Sequence, residues 1–247
     1  MAEIWFISGP PFDVAIWRAV EARVRDLGFT TRAWPCLMAG SGDIAEEVAR
    51  LKADLEAAAD DVLLVGHGSA LPLIRAVGTH AKVSGLVLSN GPGETADRLS
   101  RLWTRVFSIP QPLRKSLLSP TVVMPFLQSS LGLRRTVVNP YVMDHDTVVA
   151  ICEPIFNDSA RRERVATYYQ SLANLPEIPL CTDKPVLLCW GDADPLGADT
   201  YSDLLQKTDG NITHSPIPGG RFMHPVERPW ELADRVASWA RDWTTTT

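Results

Sequence analysis

The segment Val62-Leu63-Leu64-Val65-Gly66-His67-Gly68-Ser69-Ala70 limits what this chain can fold into more than any other. An apolar run without polar alternation suits a strand buried on both faces, as in a parallel sheet covered by helices on each side. Small residues follow at once, so the chain can turn sharply from strand to helix. A strand is expected over Asp61 to Gly66, at the centre of a sheet, and a short helix over Ser69 to Val77. Around it, apolar runs rich in β-branched residues alternate with amphipathic stretches, the rhythm of parallel βα units. Further strands are expected over Glu3 to Ser8, Phe29 to Ala33, Val83 to Ser89, Pro185 to Trp190 and Asn211 to Ile217. Helices are expected over Asp13 to Leu27, Ile44 to Ala58, Asp199 to Lys207 and Pro229 to Trp243.

The rhythm breaks between Asn90 and Lys184, a proline-rich stretch of helical patterns without a convincing strand. Its expected helices are Thr95 to Phe107, Leu113 to Leu131, Asp146 to Phe156 and Ser159 to Ala173. The fold class is therefore α/β: a mostly parallel sheet with helices on both faces, formed by residues 1–90 and 185–247. Residues 91–184 form a helical lid insertion. Ligands of such sheets bind beyond the carboxyl ends of the strands, here beneath the lid. Trp103, Phe107, Met124, Phe126, Tyr141 and Met143 are expected to fill the lid's own core, with a minority facing an apolar pocket.

Composition narrows the partners. The chain has 247 residues, a net charge of -5, 45% hydrophobic and 21% charged residues, as soluble globular proteins do. Its mild acidity and dispersed charge lack the clustered basic footprint that nucleic acid or an anionic membrane surface would require, and no apolar run reaches the ~18 residues of a membrane span. Cys36, Cys152, Cys181 and Cys189 form no CxxC pair, so reduced thiols and a cytoplasmic location are expected. Glu3 close to the start, before Ile4-Trp5-Phe6-Ile7, does not resemble a signal peptide. The glycines match neither a dinucleotide fingerprint nor a P-loop, and no metal-spaced cluster stands out. The expectation is no cofactor, no metal and a small-molecule substrate, with oligomeric state open.

The turn at Gly66 to Ala70 has the shape of a nucleophile elbow: a strand-to-helix turn with small residues two before and two after the apex. On this segment, on Ser8-Gly9-Pro10-Pro11 and on Gly191-Asp192-Ala193-Asp194-Pro195, the chain resembles the α/β-hydrolase superfamily over nearly its whole length. The three segments match its oxyanion loop, elbow and acid loop in the family's order. The resemblance implies that Asp194 is the acid, and that the nucleophile position holds Gly68. Counting back from Glu227-Arg228-Pro229, the family's E-x-P, puts Arg221 near the histidine slot and His224 one turn later. His224 is favoured as the chemical residue, because no other histidine follows the final strand.

The oxyanion loop also departs from the family. Ser69 can offer one backbone N–H, but the second donor position is Pro10, which has none. Phe12 is the neighbouring amide that can substitute. Gly9, Pro10, Pro11, His67 and Arg221 are the expected substrate-binding residues, although His67 more often packs than binds at this position. Asp13 reads as a helix N-cap and Ser69 as a cap or a displaced nucleophile. Ser89, Asn90, Glu94, Asp144 and His145 read as structural.

Glycine cannot attack a carbonyl. The leading reading is an enzyme that keeps His224 and Asp194 as a general acid/base pair. It would act non-hydrolytically, as a lyase, isomerase or cyclase, on a small to medium apolar carbonyl compound of specialised metabolism. Two alternatives stand beside it. One is ester or thioester hydrolysis through Ser69 or water, or with Gly68 an engineered replacement of serine. The other is a non-catalytic protein that keeps the pocket for a ligand.

Overall fold

The computed structural model describes residues 2–92, 98–175, 180, 183–206 and 211–244. Cys181 and Glu94, and the ends of several expected elements, lie outside these residues. In chain order, β1 (Glu3–Ile7) leads through a 3-10 turn at Val14–Trp17 into α1 (Arg18–Asp26). Then come β2 (Thr31–Trp34), α2 (Ile44–Glu56), β3 (Val62–His67), a 3-10 turn at Gly68–Ala70, α3 (Leu71–Ala76) and β4 (Val83–Ser89). A helical stretch follows: α4 (Arg98–Phe107), α5 (Gln111–Leu117), α6 (Pro120–Gln128), 3-10 turns at Leu133–Thr136 and Pro140–Val142, α7 (His145–Phe156) and α8 (Ser159–Ala173). The chain then returns to the sheet with β5 (Val186–Cys189), α9 (Ala198–Leu205), β6 (Ile212–His214), α10 (His224–Glu227) and α11 (Pro229–Thr244).

All strand pairings are parallel, in the order β2-β1-β3-β4-β5-β6. All six residues of β3 are buried, as its unbroken apolar run requires. Helices α1 and α11 pack together, and α2 packs with α3 and α8. Register aligns the strand ends that carry the site, with Ile7 beside Gly66, His67 beside Ser89, and Ser89 beside Cys189.

Several elements differ from expectation for identifiable reasons. The helix expected over Leu113 to Leu131 is two helices, because Pro120 starts a new one and Pro125 sits inside it; proline supplies no N–H for the ladder and clashes with the preceding turn. The strand expected over Asn211 to Ile217 pairs only at Ile212–His214, with Ile217 rejoining as an isolated bridge to Gly191. Pro216 and Pro218 flank that bridge and have no ladder donor. Asp13 does not cap its helix; its carboxylate pairs instead with Arg161 of α8 at 3.0 Å. Trp103, Phe107, Met124 and Met143 lie inside as expected, but Phe126 and Tyr141 are 53% and 84% exposed. Cys36, Cys152 and Cys189 are buried free thiols, and burial raises the pKa of each, that of Cys189 to about 12.

Candidate functional site

The site is built where β1, β3 and β4 end. Gly68 follows β3 with φ +60, a left-handed conformation that glycine adopts without the steric cost of a Cβ. The loop after β1 crosses the elbow so closely that a Cβ on Gly9 would lie 2.2 Å from the Ala70 nitrogen. Contact this tight explains a glycine there. It also brings Pro10 over the turn, where its carbonyl accepts hydrogen bonds from the Ser69 hydroxyl and the Tyr169 hydroxyl. Tyr168 donates to the Ser69 carbonyl at 2.7 Å. Two successive tyrosines of α8 therefore fasten both sides of the turn.

These bonds decide what the elbow can do. Ser69 Oγ points at a backbone carbonyl, away from either imidazole, so no base stands ready to activate it. Pro10 and Pro11 have no N–H to give. The Phe12 amide, the expected substitute donor, is held in a turn by the Gly9 carbonyl at 3.1 Å. Above the apex lies the Phe222 ring, 3.3 Å from where a Cβ on Gly68 would stand. That ring is 3% exposed and stands 4.6 Å, centre to centre, from His67. The space a side chain at Gly68 would need is thus shared with a phenyl ring.

The histidines are joined through Ser89. His67 and Ser89 are register partners on adjacent strands, so their side chains project on the same side, and His67 Nδ1 is 3.1 Å from Ser89 Oγ. His224, at the start of α10, places Nε2 2.9 Å from the same hydroxyl and Nδ1 3.1 Å from the Arg221 carbonyl. A carbonyl only accepts, so His224 Nδ1 carries the hydrogen and Nε2 accepts from Ser89. The Ser89 oxygen then accepts from His67 Nδ1–H. This leaves His67 Nε2, buried and without a hydrogen-bond partner among the described residues, as the free basic end of the chain.

Both imidazoles are fully buried, which disfavours their charged forms. Burial lowers the pKa of His224 to about 4, against a smaller opposing contribution from the Arg221 carbonyl. For His67 burial comes first and the neighbouring His224 second, and its pKa lies well below the ordinary value. Both rings are neutral at neutral pH.

Asp194 is not hydrogen-bonded to His224. Its Oδ2 accepts from Asn90 Nδ2 at 2.6 Å and its Oδ1 from the Leu196 amide at 3.1 Å, while Asn90 Oδ1 takes the Gly191 amide at 2.7 Å. Asn90 therefore ties the acid loop to the end of β4. The expected acid/base pair is replaced by two separate networks, His224 with Ser89 and Asp194 with Asn90. Arg221 also leaves the site, donating to the Val137 carbonyl at 3.1 Å. Pro225 and Val226, immediately after His224, line a cleft of about 260 Å³ with Ile16 and Ile151, and Arg18 and Asp146 line it too.

Sequence reasoning set Ser89 and Asn90 aside as structural and missed Phe222, Tyr168 and Tyr169. The signal for the first two was two adjacent polar residues ending an apolar strand, each needing a buried partner. Nothing local announced the other three. Among the described residues, no group of three or more His, Cys, Asp or Glu could hold a metal ion, and no helix is long and apolar enough to cross a membrane.

No protein-family model matches the chain, and no curated relative matches it in sequence. Solved structures do match. A haloalkane dehalogenase from Bradyrhizobium elkani is 13% identical with a TM-score of 0.77, covering 100% of this chain and 92% of that one. An epoxide hydrolase is 14% identical at a TM-score of 0.75, with 96% and 90% covered. An esterase from Thermogutta terrifontis is 18% identical at 0.67, with 98% and 90% covered. The chain has the α/β-hydrolase fold.

Proposed function

We propose that this chain is an α/β-hydrolase-fold enzyme that moves protons instead of hydrolysing a substrate at its elbow. Its substrate is a small to medium, largely apolar, carbonyl-bearing molecule, and its reaction a lyase, isomerase or cyclase step. His224 and His67, joined through the Ser89 hydroxyl, are the acid/base groups, with His67 Nε2 the end left to take a substrate proton, and residues 91–184 serve as the lid. One observation carries this reading: the apex is a glycine roofed by Phe222, while two neutral imidazoles persist beside it on a shared hydroxyl. Neutral imidazole is the form that accepts a proton, and positioned acid/base groups contribute about 100-fold to 10,000-fold. The cleft lined by Pro225 and Val226 begins one residue past His224, which is itself buried and does not line it. Asp194 then acts on the acid loop rather than on the imidazole.

A second reading, a ligand-binding protein without turnover, is favoured by the complete burial of His224. Two assays separate the readings. The first is hydrolysis of p-nitrophenyl esters, where the parent is expected to be inert; His224-dependent ester turnover would overturn the proposal. The second is deuterium exchange at the α-carbon of simple apolar ketones, followed by NMR. Exchange above the buffer rate that falls at least about 100-fold in His224→Gln supports proton transfer. Exchange no faster than buffer across the ketone series favours the binder.

A further inference from the structure

Average composition conceals an uneven placement of charge. From Arg98 to Met143 the sequence contains seven Arg and Lys and no Asp or Glu, while the rest of the chain has 17 cations against 29 anions. Arg101, Arg105, Lys115, Arg134 and Arg135 are exposed and, among the described residues, none forms an ion pair. Two carboxylates from elsewhere bond to the segment, Glu163 to Arg114 at 2.7 Å and Glu227 to the Val138 and Asn139 amides, while exposed Asp144 and Asp146 follow directly after it. An excess of exposed cations therefore stands on this segment of an otherwise anionic protein.

The same segment carries the molecule's exposed apolar side chains. Of ten large hydrophobic residues exposed among the described residues, eight lie between Leu102 and Tyr141, so the exposure is a property of the insertion. Leu113 and Leu117 are four apart on α5, and Val122 and Phe126 four apart on α6, so each pair forms a stripe along its helix. Leu131, 67% exposed, and Tyr141, 84% exposed, add to it from the turns beyond.

We propose that the outer face of the insertion, residues 98–143, docks on an anionic phospholipid surface. Apolar side chains that enter the headgroup boundary, interleaved with Arg and Lys, are the composition by which a segment lies in a membrane interface without crossing it. Charge selects this occupant over a second copy of the chain, since two such faces would set like charges together. The proposal is independent of what the elbow does. It also corrects the expectation that charge is dispersed with no basic cluster, because residues 98–143 hold seven cations and no anion, and a local cationic excess is what an anionic surface responds to.

The test is cosedimentation of the whole protein with vesicles, either phosphatidylcholine alone or mixed two to one with phosphatidylserine, at low and high salt. Binding to the anionic vesicles is expected, weak on the neutral ones and lost at high salt. Each cation removed should lower partitioning about fivefold. A variant with Arg101→Gln, Arg105→Gln and Lys115→Gln should thus lose on the order of 100-fold, and Leu113→Ser with Phe126→Ser at least about tenfold. Absence of binding to anionic vesicles, or equal binding to both kinds, overturns the proposal. So does a parent dimer that the Leu113 and Phe126 substitutions dissociate, or displacement from vesicles by single-stranded RNA. Should a variant fail to fold, the salt and lipid dependence of the parent still decides the question.

Discussion

Gly68 and Phe222 meet at the turn after β3, and the geometry sets the cost of placing a serine there. A serine at Gly68 must adopt φ +60 and place its Cβ 3.3 Å from the Phe222 ring. Left-handed backbone costs a non-glycine residue about 1–3 kcal/mol. Gly68→Ser should therefore lower stability by that amount, read from urea unfolding. It should also remain without esterase activity while Phe222 is present, because no oxyanion donor from the first loop is free. At the histidines the sign of the pH dependence is fixed. His224 titrates near pH 4 when folded and near 6.5 when unfolded. The unfolded state thus binds more protons between those values, and stability is complete above about pH 6.5 and falls as pH drops toward 4. His224 alone accounts for at most about 3 kcal/mol of this loss, and His67 acts in the same direction. Urea unfolding across that range should show a flatter pH dependence for His224→Gln than for the parent.

Helix α8 is the element that fixes the elbow, through Tyr168 on the Ser69 carbonyl, Tyr169 on the Pro10 carbonyl and Arg161 on Asp13. Removing the Tyr168 hydroxyl leaves a buried carbonyl without that donor, a loss of about 1–3 kcal/mol. Tyr168→Phe should show it as a lower unfolding midpoint and as faster amide exchange across Gly68 to Leu71. The βα rhythm was legible because buried parallel strands are continuous apolar runs, as at Val62 to Val65, and this needs no knowledge of distant contacts. The helix expected over Leu113 to Leu131 was misread because its apolar spacing continues through Pro120 and Pro125, whose backbone consequences overrule periodicity. At the site, the sharp turn at Gly68 after β3 could be read directly. The link from His224 to Ser89 could not, because it joins residues 135 positions apart and no local pattern encodes it. The bond from Asn90 to Asp194 was hidden for the same reason, since it spans 104 positions.

The whole molecule has the α/β-hydrolase fold, and the polar groups at its strand ends are engaged with one another. Ser69 bonds to Pro10, Phe12 closes a turn onto Gly9, and His224 turns to Ser89. Ser89 is fully buried, which separates its role in the hydrogen-bond chain from that of an exposed attacking group. The most direct test of this account is the intact mass of the protein after exposure to a fluorophosphonate, which forms an adduct with serines activated by a neighbouring base. The account predicts an unchanged mass at neutral pH, for the parent and for Gly68→Ser alike. A stoichiometric adduct on the parent, mapped to Ser69 or Ser89, would contradict it and return the chain to hydrolytic chemistry.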